Sequence, residues 1–232
     1  MRRRYRRVEV LTESAGFRVA LDDRPLRTPA KHVLALPSRA LAEAVAGEWR
    51  AQETEILPAT MPLTRLSNTA IDRIADRPGE AAAEIAAYAE TDLLCYRADH
   101  PQALARRQHL AWQPVLDWLA GRHHARLRVT HGVVPVAQDA CALAALGRAV
   151  EAHDAFRLAA LGAATRAAGS IALALALIEG EIDAETAAAA SQLDERFQVE
   201  QWGDDDQASA RRAALAADIA SAAAFASLLA AG

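Results

Sequence analysis

The second half of this chain takes its apolar residues so largely from alanine and leucine that only closely packed helices can give it a core. Across all 232 residues 52% are hydrophobic and 5% aromatic, and small apolar side chains at three- and four-residue spacing fill helix interfaces better than a sandwich or barrel. A chain of this length buries a core without disulfides or a structural metal. Helices are expected over 79–89, 101–121, 139–153, 155–179, 184–202 and 208–229, separated by Gly, Pro or Asp breaks. Gly162, Ala163, Gly169 and Ser170 would let a neighbouring backbone come close to one of these helices.

The beginning has a different texture. Short apolar pieces at 8–11, 17–21, 25–26 and 33–36, broken by Gly16, Asp22-Asp23 and Pro29, have the spacing of a small antiparallel meander with a hairpin turn at Leu21-Asp22-Asp23-Arg24. Ser38 is placed to cap a following helix that carries Leu41, Val45, Glu48, Trp49 and Gln52 on one side. Trp49 reads as core on that face. After Pro58, Thr60 is expected to cap a helix running to Asp72, with Leu63, Leu66, Ala70, Ile71 and Ile74 as its apolar stripe. Arg65, Asn68 and Asp72 lie on or near the opposite side, for a polar network between domains or for contact with another protein. Pro135 sits in an apolar link, 132–136, expected to be extended. The fold class that results is α+β: a small antiparallel-β N-terminal domain with a helix, 1–58, followed by a mostly α-helical bundle domain, 59–232.

Charge and motifs exclude whole classes of function. The formal net charge is −4, and every basic residue except Lys31 is arginine, which is no electrostatic footprint for nucleic acid. The run Arg2-Arg3-Arg4-Tyr5-Arg6-Arg7 leads into strand-like Val8-Glu9-Val10 rather than an apolar signal core, so it reads as a solvated lead-in. The longest unbroken apolar run, 171–178, falls far short of the roughly 20 residues that span a bilayer, and no membrane insertion is expected. Cys95 and Cys141 belong to no metal-ligand spacing and read as small buried hydrophobes in a reducing compartment. His123 and His124 are adjacent, point about 100° apart on a helix, and read as a surface feature at its end. The chain has no GxxxxGK[ST], GxGxxG, GxSxG or HExxH. No cofactor, metal or catalytic residue is therefore expected. Glu90-Thr91-Asp92 and Asp194-Glu195 could supply carboxylates, yet nothing in the sequence sets them opposite a nucleophile. Thr91-Asp92 reads best as a cap anchoring 93–96.

The stretch 191–206, Ser-Gln-Leu-Asp-Glu-Arg-Phe-Gln-Val-Glu-Gln-Trp-Gly-Asp-Asp-Asp, gathers acids, amides and two large aromatics in a half that otherwise needs few of them. Aromatic anchors beside carboxylates suit a recognition surface, where apolar area supplies contact and charge fixes orientation. On a helical wheel Leu193, Phe197 and Glu200 share one side and Glu195, Val199 and Trp202 another, so one side would dock in the bundle and one face a partner.

Several pieces then occur together in order: Gly16-Phe17-Arg18-Val19-Ala20-Leu21-Asp22, Leu26-Arg27-Thr28-Pro29, Glu48-Trp49-Arg50-Ala51-Gln52, Met61-Pro62-Leu63-Thr64-Arg65-Leu66-Ser67-Asn68-Thr69-Ala70-Ile71-Asp72, Thr91-Asp92-Leu93-Leu94-Cys95-Tyr96-Arg97, and Asp194-Glu195 through Gln198 to Glu200-Gln201-Trp202-Gly203. In order and spacing, from about Arg6 to Ala210, the chain resembles the ATP synthase F(1) assembly chaperones of the assembly factor 2 type. Phe197 stands where that family more usually has tryptophan. The resemblance implies a non-enzymatic chaperone that holds the unassembled alpha subunit until beta replaces it. It also implies that an acid in the late segment is critical, with Glu195 and then Glu200 as matching positions and Asp194, Gln198 and Trp202 beside them. A monomer in a bacterial cytoplasm is expected, or in the mitochondrial matrix if the source is eukaryotic. The other readings are a helical scaffold binding a protein or lipid-derived ligand between its domains, and an enzyme using Asp92 or Glu195.

Overall fold

The computed structural model describes residues 2–14, 16–132 and 134–231, and the chain divides into two compact units. The first takes Met1–Pro78, Asp154–Ala160 and Ala224–Gly232, and the second takes Gly79–His153 and Leu161–Ala223.

The first unit is built on a four-stranded antiparallel sheet. Strands β1 (Val8–Glu13) and β2 (Gly16–Leu21) form a hairpin, and β2 also pairs with the two-residue strands β3 (Arg24–Pro25) and β4 (Ala35–Leu36). Asp22 and Asp23 turn the chain between β2 and β3 with φ of 47° and 67°, the left-handed pair that a two-residue hairpin turn requires and that Asp tolerates. At Gly16, with φ of 132°, a Cβ would come within 2.6 Å of the Leu36 carbonyl oxygen, so glycine lets β2 and β4 close.

Helix α1 (Arg39–Arg50) starts where the Ser38 hydroxyl accepts from the Leu41 N–H at 3.1 Å and donates to the Leu228 carbonyl at 2.6 Å. It buries Leu41, Ala42, Val45 and Ala46 and packs on β1 and β2. Trp49, expected as core, is half-buried, its ring centroid 5.7 Å from that of Tyr5, whose hydroxyl donates to the Trp49 carbonyl at 2.6 Å.

Helix α2 (Pro62–Thr69) is capped differently from the expectation. Thr60 lies in a preceding 3-10 turn, and the cap comes from Glu48, whose carboxylate accepts from the Leu63 N–H at 2.7 Å, the Thr64 N–H at 2.8 Å and the Thr64 hydroxyl at 2.6 Å. An anion there neutralises the exposed amides and the positive end of the helix dipole. Because Glu48 draws Thr64 inward, Thr64 and Ser67 turn into the core with Ala70 and Ile74, while Leu63, Leu66 and Ile71 are only half-buried. The helix continues as a π-turn over Ala70–Ile74.

The second unit is helical apart from a parallel pair of two-residue strands, β5 (Tyr96–Arg97) and β6 (Thr130–His131). After β6 the expected extended link is irregular, and Val133 within it lies outside the described residues. The helices are α3 (Pro78–Ala86), α4 (Gln102–His123), α5 (Ala140–Glu151), α6 (Ala155–Ala168), α7 (Ile171–Ile178), α8 (Ala184–Ser191), α9 (Leu193–Trp202) and α10 (Asp206–Ala230). The start of α6 and the end of α10 belong to the first unit.

All eight residues of α7 are buried, as expected of a helix apolar all round. Packed around it are α4 and α8. The single helix expected over 155–179 is two, because Gly169 adopts φ of 65° and Ser170 caps α7 by accepting from the Leu173 N–H at 3.0 Å. The helix expected over 184–202 likewise breaks at Gln192. At Gly162 an added Cβ would lie 3.2 Å from Ile85 Cδ1, so the small residue admits α3.

Length and composition alone would also admit Asp206–Ala230 as a membrane span, beside the shorter run weighed from the sequence. Its hydropathy comes mainly from alanine, and Ile219, Ala222, Phe225 and Ala226 are buried, the pattern of a helix packed along one side.

Candidate functional site

Helix α9 is pinned to α4 by a sequence of polar contacts. Trp112, wholly buried, donates its indole N–H to the Ala190 carbonyl at 2.8 Å, fixing the end of α8. Gln108, 1% exposed, donates to Asp194 Oδ1 at 2.8 Å and accepts from the Ala98 N–H at 2.8 Å. Phe197 is buried with the Arg107 guanidinium 5.2 Å from its ring centroid. The same guanidinium reaches both oxygens of Glu200, at 2.9 and 2.7 Å. At the helix start, Gln192 donates to the Arg212 carbonyl at 2.9 Å. Beyond its end Arg212 holds Asp204 at 2.6 and 2.5 Å, and Asp205 accepts from the N–H groups of Gln207 and Ala208 to cap α10.

These contacts separate the acids of the segment into two kinds. Asp194, Glu200, Asp204 and Asp205 are engaged. Glu195 is half-buried and, among the described residues, forms no ion pair or side-chain hydrogen bond. It lies on the same side of α9 as Val199 and Trp202, four and seven residues on. Trp202 is 88% exposed, the most exposed large hydrophobic among the described residues. Gln198 is exposed as well. Leu110 on α4, one turn from Arg107, is 69% exposed. The sequence pointed to α9 but not to Arg107, Gln108 or Arg212, since nothing local marks a residue whose partner lies on another helix.

The remaining chemistry-bearing groups are consumed by the structure. Asp92 is fully buried and accepts from the Leu94 N–H at 2.9 Å, the Ser170 hydroxyl at 2.9 Å and the Ala172 N–H at 3.1 Å. Burial pushes its carboxyl above the ordinary value against the pull of those donors. It has no route to a substrate. Cys95 beside it is buried, and burial together with the Asp92 charge pushes its thiol up to about 12, while Cys141, expected to be buried, is exposed. Arg97 is buried with its Nε donating to the Leu94 carbonyl at 2.9 Å and its guanidinium against Trp112. His124 is exposed at the end of α4 as expected, whereas His123 is half-buried, its Nε2 2.8 Å from Glu179 and its ring edge-on to Trp118. Asp72 binds within the first unit, accepting from the Thr28 hydroxyl at 2.6 Å and the Ala30 N–H at 3.0 Å, with His32 Nδ1 at 3.0 Å. Among the described residues no three His, Cys, Asp or Glu side chains gather as a metal site. The α9 surface presents an exposed aromatic, an amide and a carboxylate, groups suited to contact and charge pairing.

The family model described as ATP12 chaperone protein matches residues 2–120. The chain belongs to the ATP12 chaperone family. Its structure is similar to that of Atp12 from Paracoccus denitrificans, at 46% identity over 98% of each chain with a TM-score of 0.93. It is equally similar to a variant of that protein carrying one aspartate-to-lysine exchange, over 98% of this chain and 97% of that one. A protein of Agrobacterium tumefaciens described as a chaperone matches at 43% identity and a TM-score of 0.92, over 97% of this chain and 85% of that one. The small N-terminal antiparallel sheet followed by helices is thus the ATP12 architecture, and the chain is a chaperone of F(1) ATP synthase assembly.

Proposed function

We propose that this ATP12 chaperone holds the unassembled alpha subunit of F(1), as a monomer in the bacterial cytoplasm, by the exposed side of α9. The observation that carries this reading is Trp202, 88% exposed on a helix that is otherwise pinned, with an unpaired Glu195 on the same side. A large rigid aromatic held in water costs solubility unless something covers it, and a neighbouring carboxylate without an internal partner gives the covering surface its orientation. Glu195, Gln198 and Trp202 touch the client. Asp194 and Glu200 hold α9 in position through Gln108 and Arg107. A subunit made before its neighbour exposes the apolar area that the neighbour will cover, and shielding it prevents aggregation without any bond being made or broken. The aspartate-to-lysine Atp12p variant matches this chain as well as unaltered Atp12 does, which supports charge reversal as a probe that spares the fold.

Recombinant alpha subunit is incubated with the chaperone, and binding and light scattering are followed. Glu195→Lys is expected to weaken binding about tenfold or more, on the order of 1.4 kcal/mol, with a melting temperature within about 2 °C of wild type. Wild-type protein that neither binds the alpha subunit nor lowers its scattering would end this reading. A large melting shift in Glu195→Lys would make Glu195 structural.

A further inference from the structure

Strand β1 is an edge: among the described residues it pairs with β2 alone. The register fixes which of its backbone groups point outward. Glu13 faces Gly16 and closes the β1–β2 ladder, and a closing pair of this kind exchanges both hydrogen bonds. The bonded pairs are then Glu13 with Gly16, Leu11 with Arg18 and Glu9 with Ala20. Two contacts agree: the Asp22 N–H donates to the Arg7 carbonyl at 3.1 Å, continuing the alternation, and Val19 uses its carbonyl on the far side of β2, accepting from the Leu26 N–H at 2.9 Å. Val8, Val10 and Thr12 therefore aim their amides and carbonyls away from the sheet.

Part of this edge is already covered. Arg50 brings Nε and Nη2 to 3.4 Å from the Val8 carbonyl. Beyond Val8 the cover ends. Among the described residues nothing bonds to the backbone of Val10 or Thr12, and the one-to-one register leaves no bulge or proline to discourage pairing.

The charges on the strand select what can dock there. Glu9, Leu11 and Glu13 share the other side of the pleat, with Leu11 36% exposed. Two copies of this chain pairing antiparallel through the open groups would set Val10 against Thr12 and Leu11 against Leu11. That register puts Glu9 of each copy opposite Glu13 of the other, and like charges directly opposite oppose pairing. The same acids favour a strand with basic residues at those two positions and an apolar one between. Their contacts with Arg7 at 3.3 Å and Arg18 at 2.7 Å are exposed or partly exposed pairs of small worth and leave the outer side of each carboxylate open.

We propose that the β1 edge at Val10 and Thr12 takes up an extended segment of the client in which an apolar residue is flanked, two positions away on each side, by arginine or lysine. This rests on the alpha subunit being the client. The strand would make up to about four backbone hydrogen bonds, with Arg50 marking where it must stop.

Amide hydrogen exchange of the full chain is measured with and without recombinant alpha subunit, and affinity is measured for two variants. Thr12→Pro removes an outward N–H without touching the β1–β2 ladder, and Glu9→Lys with Glu13→Lys reverses the selecting charges. Protection of Val10 and Thr12 on binding is expected, with affinity lowered about fivefold or more by Thr12→Pro and about tenfold by the double reversal. If the alpha subunit binds while both amides exchange at the free rate and both variants bind within about twofold of wild type, the edge is not used. If wild type does not bind the alpha subunit, the client itself is wrong and this inference falls with it.

Discussion

At the scale of single residues, Asp72 links chemistry to acid stability. Its carboxylate is 11% exposed; burial alone would raise its pKa, but the donors Thr28, Ala30 and His32 outweigh that and hold it below the ordinary value. A depressed carboxylate adds stability that is fully present above the unfolded pKa and is lost as pH falls through the folded one. Asp72→Asn should therefore cost about 1–2 kcal/mol near neutrality, with the gap to wild type constant down to about pH 5 and closing only as pH falls below the ordinary aspartate value of about 3.9. A gap independent of pH would mean that the charge of Asp72 contributes nothing. What the sequence disclosed here was local: the two aspartates of the hairpin turn, and the cap at Ser38. The sequence marked Asp72 for a polar network between domains or for contact with another protein, but its partners lie within the first unit and could not be named, because Thr28 and His32 sit 44 and 40 residues away.

Among elements, the helices legible in the sequence were those whose ends carry strong local signals. Where the structure breaks a helix inside an apolar run, periodicity stayed silent: 155–179 keeps its pattern through Gly169, and 184–202 through Gln192, so both breaks were missed. The first break depends on Asp92, a single carboxylate that accepts from both the 3-10 turn Leu93–Cys95 and the α7 end through Ser170 and Ala172. Replacing it by alanine strands several buried donors at once. Asp92→Ala should lose about 2–4 kcal/mol in urea unfolding, whereas Asp183→Ala, an exposed cap on α8, should lose about 1 kcal/mol. Equal losses would show that Asp92 merely caps one helix end. The α9 segment was legible as unusual for its composition, but which of its acids are engaged depends on Arg107, Gln108 and Arg212 on other helices.

For the molecule as a whole, the proposed holding of the alpha subunit by the α9 surface is action by occupancy. That scheme contains no hydrolysis step, and protection in it follows the fraction of client bound. Under that proposal release follows when an arriving beta subunit presents a better interface to the same surface, which requires the chaperone complex to be the weaker of the two. Titrating the chaperone into a fixed amount of alpha subunit should lower light scattering in proportion and level off near one chaperone per client. ATP should leave the curve unchanged at a fixed state of the client, and added beta subunit should free the chaperone. Protection at a small fraction of one chaperone per client would mean turnover, and a dependence on ATP hydrolysis by the chaperone alone would mean an engine; either would refute holding by occupancy. Glu195→Lys sharpens the test: if occupancy governs, its curve shifts to higher chaperone concentration by the same factor as its loss of affinity, yet reaches the same plateau.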